Sequence, residues 1–164
     1  RVGTECAHGL AGLGSQMMKC GAKVNTNTKI NGTFPLFIAS DHGHAEVANL
    51  LLGAGANVDL ADKDGSTPLY IASQQGHAEV VTLLLGAGAK VDLARKDGST
   101  PLYITSLKGH AEVVTLLISA GAKVDVAEED GFTHLYSASQ EGLQGVTRLL
   151  LGAGVAVDVS TKRG

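Results

Sequence analysis

The residues of this chain whose types could do chemistry are its six histidines, two cysteines and a periodic set of carboxylates. His44, His77 and His110 recur every 33 residues, and Asp59, Asp92, Asp125 and Asp158 keep the same period. A ladder of imidazoles could titrate near neutral pH or hold a metal. A chemical site breaks the symmetry of a repeat, however, whereas a structural residue is copied with the unit. These histidines are therefore expected to cap helices and bond neighbouring units, and the aspartates to be solvated or to satisfy loop backbone. His42 falls at the exposed end of a helix and could contact a partner, while His134 stands where a proline has been lost.

Three other constellations fail on spacing. Cys6, His8 and Cys20 lack the paired C-x-x-C of a zinc site and have no fourth ligand, so no metal is expected. Gly9, Gly12 and Gly14 look like a phosphate loop, but no strand precedes them and no Gly-Lys-Ser/Thr follows. Met17 and Met18 align with Leu84 and Leu85, which makes them core residues of a degenerate unit. No Ser/His/Asp or Cys/His grouping outside the repeat supplies a nucleophile and its base, so no catalytic residue and no cofactor is expected.

What must position these residues is a repeat. Residues 95–127 reproduce Asp62–Ala94 with seven differences, and full units are read at 29–61, 62–94, 95–127 and 128–160. Residues 1–28 form a partial first unit, and 161–164 match the opening of a further one. All are expected to form a single domain spanning 1–164. One extra residue between Asn25 and Gly32 shifts the register of the first unit.

Within each unit the local signals agree. Asp64-Gly65, Asp97-Gly98 and Asp130-Gly131 are turn dipeptides. Thr67-Pro68 and Thr100-Pro101 pair an N-cap hydroxyl with a proline at the first helical position. Phe34-Pro35 and Thr133-His134 are read as having lost that start signal. Gly43, Gly76, Gly109 and Gly142 then end the first helix in a left-handed C-cap. A second helix follows, with Glu46, Glu79 or Glu112 in its first turn and an apolar body such as Val80, Val81, Leu83, Leu84 and Leu85. The result is a helix–turn–helix–loop unit that can bury its apolar face only against a neighbour.

Composition narrows the class further. Of the 164 residues, 44% are apolar and 18% charged, which suits a globular chain; most of the 22 glycines are punctuation at fixed offsets. A net charge of −3 provides no basic field for nucleic-acid phosphates, so no nucleic-acid partner is expected. No apolar run is long enough to span a bilayer, and the two cysteines suit a reducing compartment, so no membrane partner and a cytoplasmic or nuclear location are expected. The sequon Asn31-Gly32-Thr33 matters only in a secreted chain. The chain begins at Arg1 rather than Met, which fits a piece of a longer array.

These units resemble the ankyrin repeat, whose pattern runs roughly D-x-x-G-x-T-P-L-H-x-A-x-x-G-H-x-E-V-V-x-L-L-L-x-x-G-A-D-V-N. Gly65, Thr67-Pro68-Leu69, Ala72, Gly76-His77, Glu79-Val80-Val81, Leu83-Leu84-Leu85 and Gly88-Ala89 all fall in register. The resemblance implies an all-α solenoid with a loop projecting from each helix pair. It also implies a non-catalytic module that binds a protein through a concave face of loops and first helices. A structural spacer or self-associating assembly module, joining through an uncapped last unit around Leu149–Leu151 and Val155, is the alternative. Phe37, Tyr70, Tyr103 and Tyr136 replace the family's histidine, so its bond between units is lost and a buried tyrosine there needs another hydroxyl partner. The asparagine that is hydroxylated in some family members is aspartate in all four whole units, and asparagine only at Asn25.

Carried onto this chain, the family's contact positions are the loop residues Asn31, Thr33, Lys63, Asp64, Ser66, Lys96, Asp97, Ser99, Glu129, Asp130 and Phe132. The helix ends add Asp41, His42, Gln74, Gln75, Leu107, Lys108, Gln140 and Glu141. Phe132 and Leu107 are the expected exposed apolar anchors. Three of the seven differences between the two best copies fall on this face: Asp62/Arg95, Gln74/Leu107 and Gln75/Lys108. A uniform scaffold with a variable face is how a recognition array would look, although recent duplication with solvent-tolerant positions gives the same pattern.

Overall fold

A computed structural model describes residues 24–26, 32–125 and 132–157. Among these residues lie eight helices: α1 (Pro35–Asp41), α2 (Ala45–Gly53), α3 (Pro68–Gln75), α4 (Ala78–Gly86), α5 (Pro101–Lys108), α6 (Ala111–Ser119), α7 (His134–Gln140) and α8 (Gln144–Gly152). The partial first unit lies outside the described residues apart from 24–26, as do residues 161–164.

The odd-numbered helices start as their caps dictate. Thr67 and Thr100 are extended, and their hydroxyl oxygens accept the backbone N–H of Tyr70 at 3.1 Å and of Tyr103 at 3.2 Å. Thr133 makes the same bond to Tyr136 at 3.2 Å. The expectation that α7 lacks a start signal is therefore corrected: it keeps the cap and has lost only the proline. The reverse holds for α1, where Pro35 is kept and Phe34 makes no side-chain cap bond. Phe34 is instead buried, edge-on to Phe37 at 6.0 Å, so packing replaces the hydrogen bond.

Gly76 and Gly109 end α3 and α5 at φ +80° and +81°, a left-handed conformation that a side chain disfavours. The chain then turns into α4 and α6, nine-residue helices that are marginal in water on their own. Packing holds them. Val80, Val81 and Leu84 of α4, and Val114 and Leu117 of α6, are completely buried. Each such side chain contributes about 1.5–3 kcal/mol, against about 1 kcal/mol for a cap.

The helices form two layers. Each odd-numbered helix packs on the odd-numbered helices before and after it, each even-numbered one on its even-numbered neighbours, and the two members of each pair pack on each other. The loops are tied across units by carboxylates, as expected for periodic aspartates. Asp59 Oδ1 accepts the Lys90 N–H, Asp92 Oδ1 the Lys123 N–H and Asp125 Oδ1 the Ala156 N–H, each at 3.0 Å and each 31 residues apart. Asn25 Oδ1 takes the same role towards the Asn57 N–H at 2.8 Å, 32 residues on, which absorbs the single extra residue in the first loop.

Candidate protein-binding face

The loops and the odd-numbered helices must first be fixed to one another. Asp62 Oδ1 accepts the N–H groups of Asp64 and Ser66, at 2.9 and 2.8 Å, and so closes its own turn. In the next loop Arg95 stands in that position, and the turn is closed by Asp97 Oδ1, which accepts the Ser99 N–H at 3.0 Å. Adjacent loops are then joined by the Lys96 N–H, which donates to the Asp64 carbonyl at 3.0 Å.

Freed from closing the turn, Arg95 reaches back over the preceding unit. Its guanidinium carbon lies 5.3 Å above the centre of the Tyr70 ring, within cation–π range. Its pKa is raised first by the Tyr70 hydroxyl and then, against the cost of burial, by Asp97 and Asp64. Asp97 Oδ2 is 3.3 Å from Nη1. The Tyr70 hydroxyl lies 3.2 Å from Ser99 Oγ, so the tyrosine that replaces the family's histidine does find a partner. Ser66 and Ser99 were expected to contact a partner, but both are buried at the base of their loops. That expectation is corrected, because a Ser99 hydroxyl committed to Tyr70 presents little to solvent.

The opposite ends of the odd-numbered helices form a second row. Gln75 Nε2 donates to Asp41 Oδ1 at 2.8 Å, linking α3 to α1. His77 Nε2 donates to the Asp41 carbonyl, and His110 Nε2 to the Gln74 carbonyl, both at 3.0 Å. A carbonyl only accepts, so Nε2 carries the proton in both rings. His77 and His110 thus bond neighbouring units, as their periodicity suggested, whereas the expected capping is corrected: none of His44, His77 and His110 makes a side-chain cap bond, and His44 is exposed. His42 is exposed and its Nδ1 bonds the Ile38 carbonyl at 3.0 Å, with its ring stacked on that of His44. Thr105, which replaces Ala72, donates its hydroxyl to the Ser73 carbonyl at 2.8 Å.

The expected contact residues therefore fall into two separate rows. Lys63, Asp64, Lys96 and Asp97 are exposed along the loops, with Thr33 half-buried. His42, Gln75, Lys108, Gln140 and Glu141 are exposed along the helix ends, with Asp41, Gln74 and Leu107 half-buried. Between the rows lies a helix of seven or eight residues, a separation on the order of 12 Å. Asn31, Glu129 and Asp130 lie outside the described residues.

The expected anchors are also corrected. Leu107 and Phe132 are half-buried rather than exposed. Phe132 stacks at 4.8 Å on Tyr136, which is 46% exposed and was not among the expected contacts. Its counterpart Tyr70 is covered by Arg95 and Ser99, whereas the following loop at Tyr136 would lie beyond the described residues. Of the apolar area expected around Leu149–Leu151 and Val155, Leu151 is exposed and Leu149 half-buried, whereas Leu150 and Val155 are buried; Val157 is exposed as well.

Among the described residues no group of three His, Cys, Asp or Glu side chains could hold a metal, and no helix is long and apolar enough to cross a membrane. Cys6, His8 and Cys20 lie outside those residues. A family description, ankyrin repeats in three copies, matches residues 6–95 and 80–162. No curated protein matches the chain.

Proposed function

We propose, from the premise that the chain belongs to the ankyrin repeat family, that it binds a protein partner through the face made by its loops and odd-numbered helices and carries out no chemistry of its own. Proteins of this family are generally interaction modules and typically non-catalytic. The observation that supports the face is where the two best copies differ. Gln75 and Lys108 occupy equivalent exposed helix ends and differ in charge, while the capping threonines Thr67 and Thr100, and Val80, Val81 and Leu84 of α4 with their counterparts Val113, Val114 and Leu117 of α6, are kept and buried. Burial holds these packing residues constant, with Ala72/Thr105 the exception, and solvent leaves Gln75/Lys108 free to vary, as it does Gly86/Ser119 on the even-numbered helices.

The test is to capture partners with the whole chain from its source cell, identify one, and measure its affinity for variants of the two surfaces. Charge reversal at Lys108 and Glu141 should weaken binding, whereas changes at Thr82 and Thr115, exposed on the even-numbered helices, should not. Equal effects from both surfaces would overturn the reading. A second reading, self-association through the apolar surface at Leu151 and Val157, predicts a mass that rises with concentration and falls back on Leu151→Asp.

A further inference from the structure

His134 occupies the place that Pro68 and Pro101 take in the preceding units, at the first residue of its helix. It is 0% exposed, and neither Nδ1 nor Nε2 has a hydrogen-bond partner. No other histidine described in the chain is in this position: His77 and His110 bond carbonyls, and His42 and His44 face solvent. The ring meets Tyr103 of α5 edge-on, with centroids 6.1 Å apart at 66°. It therefore lies in the seam between α5 and α7, which joins the last described helix pair to the stack.

A neutral imidazole must keep one N–H, so this seam already holds a donor with no hydrogen bond, and a charged imidazolium there would hold two. The surroundings do little to help. Burial lowers the pKa of His134 below the usual imidazole range, and the backbone at Val124 and the carboxylates of Asp125 and Asp92 oppose it only in part. From α5 the ring meets Tyr103, whereas Lys108 of that helix is exposed, as is Arg148, the one charged side chain of α8. Glu128, Glu129 and Asp130 precede it in the chain and lie outside the described residues.

We infer that His134 makes the seam between α5 and α7 acid-labile, so that mild acidification releases the α7–α8 pair while the helix pairs before it stay docked. The sign follows from proton counting. Once α7 is released, the imidazole takes a proton near its ordinary pKa of about 6.5; docked, it does not. The released state therefore binds more protons between the two pKa values. Docking is at full strength above about pH 6.5 and weakens as pH falls towards the lowered pKa of the docked state. His134 lies in the same unit as the Phe132–Tyr136 pair, of which Tyr136 is exposed, and would set the pH range over which that surface is presented.

The structure also provides its own control. Thr133 has φ −92° and ψ 162°, the conformation of Thr100 (−93°, 162°) ahead of Pro101, so His134→Pro fits without strain. Hydrogen exchange of the full chain at about pH 7.5 and about pH 5, corrected for intrinsic rates, separates the helix pairs; each unit of pKa depression is worth about tenfold in protection. Amides of 134–152 should lose more protection on acidification than amides of 68–119, and H134P should remove that difference. His134→Leu, equally unable to titrate, should do the same if H134P folds poorly. A difference that persists in both variants, equal losses in both regions of the parent chain, or an imidazole signal of His134 titrating near 6.5 would each overturn the inference.

Discussion

The ring of His110 stands so close to Gly76 that a Cβ built there would lie 2.6 Å from Nδ1, while Nε2 of the same ring donates to the Gln74 carbonyl at 3.0 Å. The left-handed glycine and the histidine of the following unit are one joint. Gly76→Val should therefore cost both the conformational penalty at φ +80° and the displacement of His110, a loss of about 3 kcal/mol or more. Gly86→Ala is the comparison: nothing lies within 4 Å of its Cβ position, and a change of under about 1 kcal/mol, in the stabilising direction, is expected. Urea unfolding of both variants checks this, and similar midpoints would dismiss the joint.

A second expectation concerns the tyrosine that stands in for the family's histidine. Tyr70→Phe keeps the ring under Arg95 but removes the hydroxyl from Ser99, and should cost about 1 kcal/mol. Ser99→Ala should cost a similar amount, and the double variant less than the sum, because the two groups share one bond. Strict additivity in a double-mutant cycle would show that the hydroxyls do not act together.

The caps offer a third. Thr100→Ala and Thr133→Ala should each lower stability by about 1 kcal/mol, because both hydroxyls accept an N–H of the first turn. Phe34→Ala should cost more, about 3 kcal/mol, since that side chain is buried against Phe37. Thermal melts that rank Phe34 as the mildest of the three would contradict the assignment of packing as its role.

A fourth bears on binding. Tyr136→Ala removes an exposed ring that rests on Phe132, and should weaken capture of a partner by more than about 1 kcal/mol while moving the melting temperature little. Titration calorimetry against a captured partner decides it; unchanged affinity would take the Phe132–Tyr136 pair out of the interface.

The scaffold was legible because its causes are local. Thr-Pro, Gly-His and Val-Val-x-Leu-Leu-Leu each act within one turn of helix, and all recur in the positions their chemistry requires. The same locality explains the errors. Ser66 and Ser99 look like any loop serine; what buries Ser99 is Tyr70, 29 residues earlier, which no reading within one unit can see. Thr133 lacks a following proline, yet its hydroxyl suffices to cap. Leu107 and Phe132 are apolar residues at surface positions, and how far each is covered depends on neighbouring helices and loops. In the sequence Arg95 differs from Asp62 only as a change of charge; its reach over Tyr70 depends on Asp97 having taken over the turn.

Among the described residues, the bonds between units span 29 to 36 residues and join only adjacent units. Tension applied across the described helix pairs meets no long-range clasp among them. Each helix pair would peel from its neighbour at its own threshold, and the molecule would lengthen stepwise, as a spring of unequal coils, with the weakest seam giving way first.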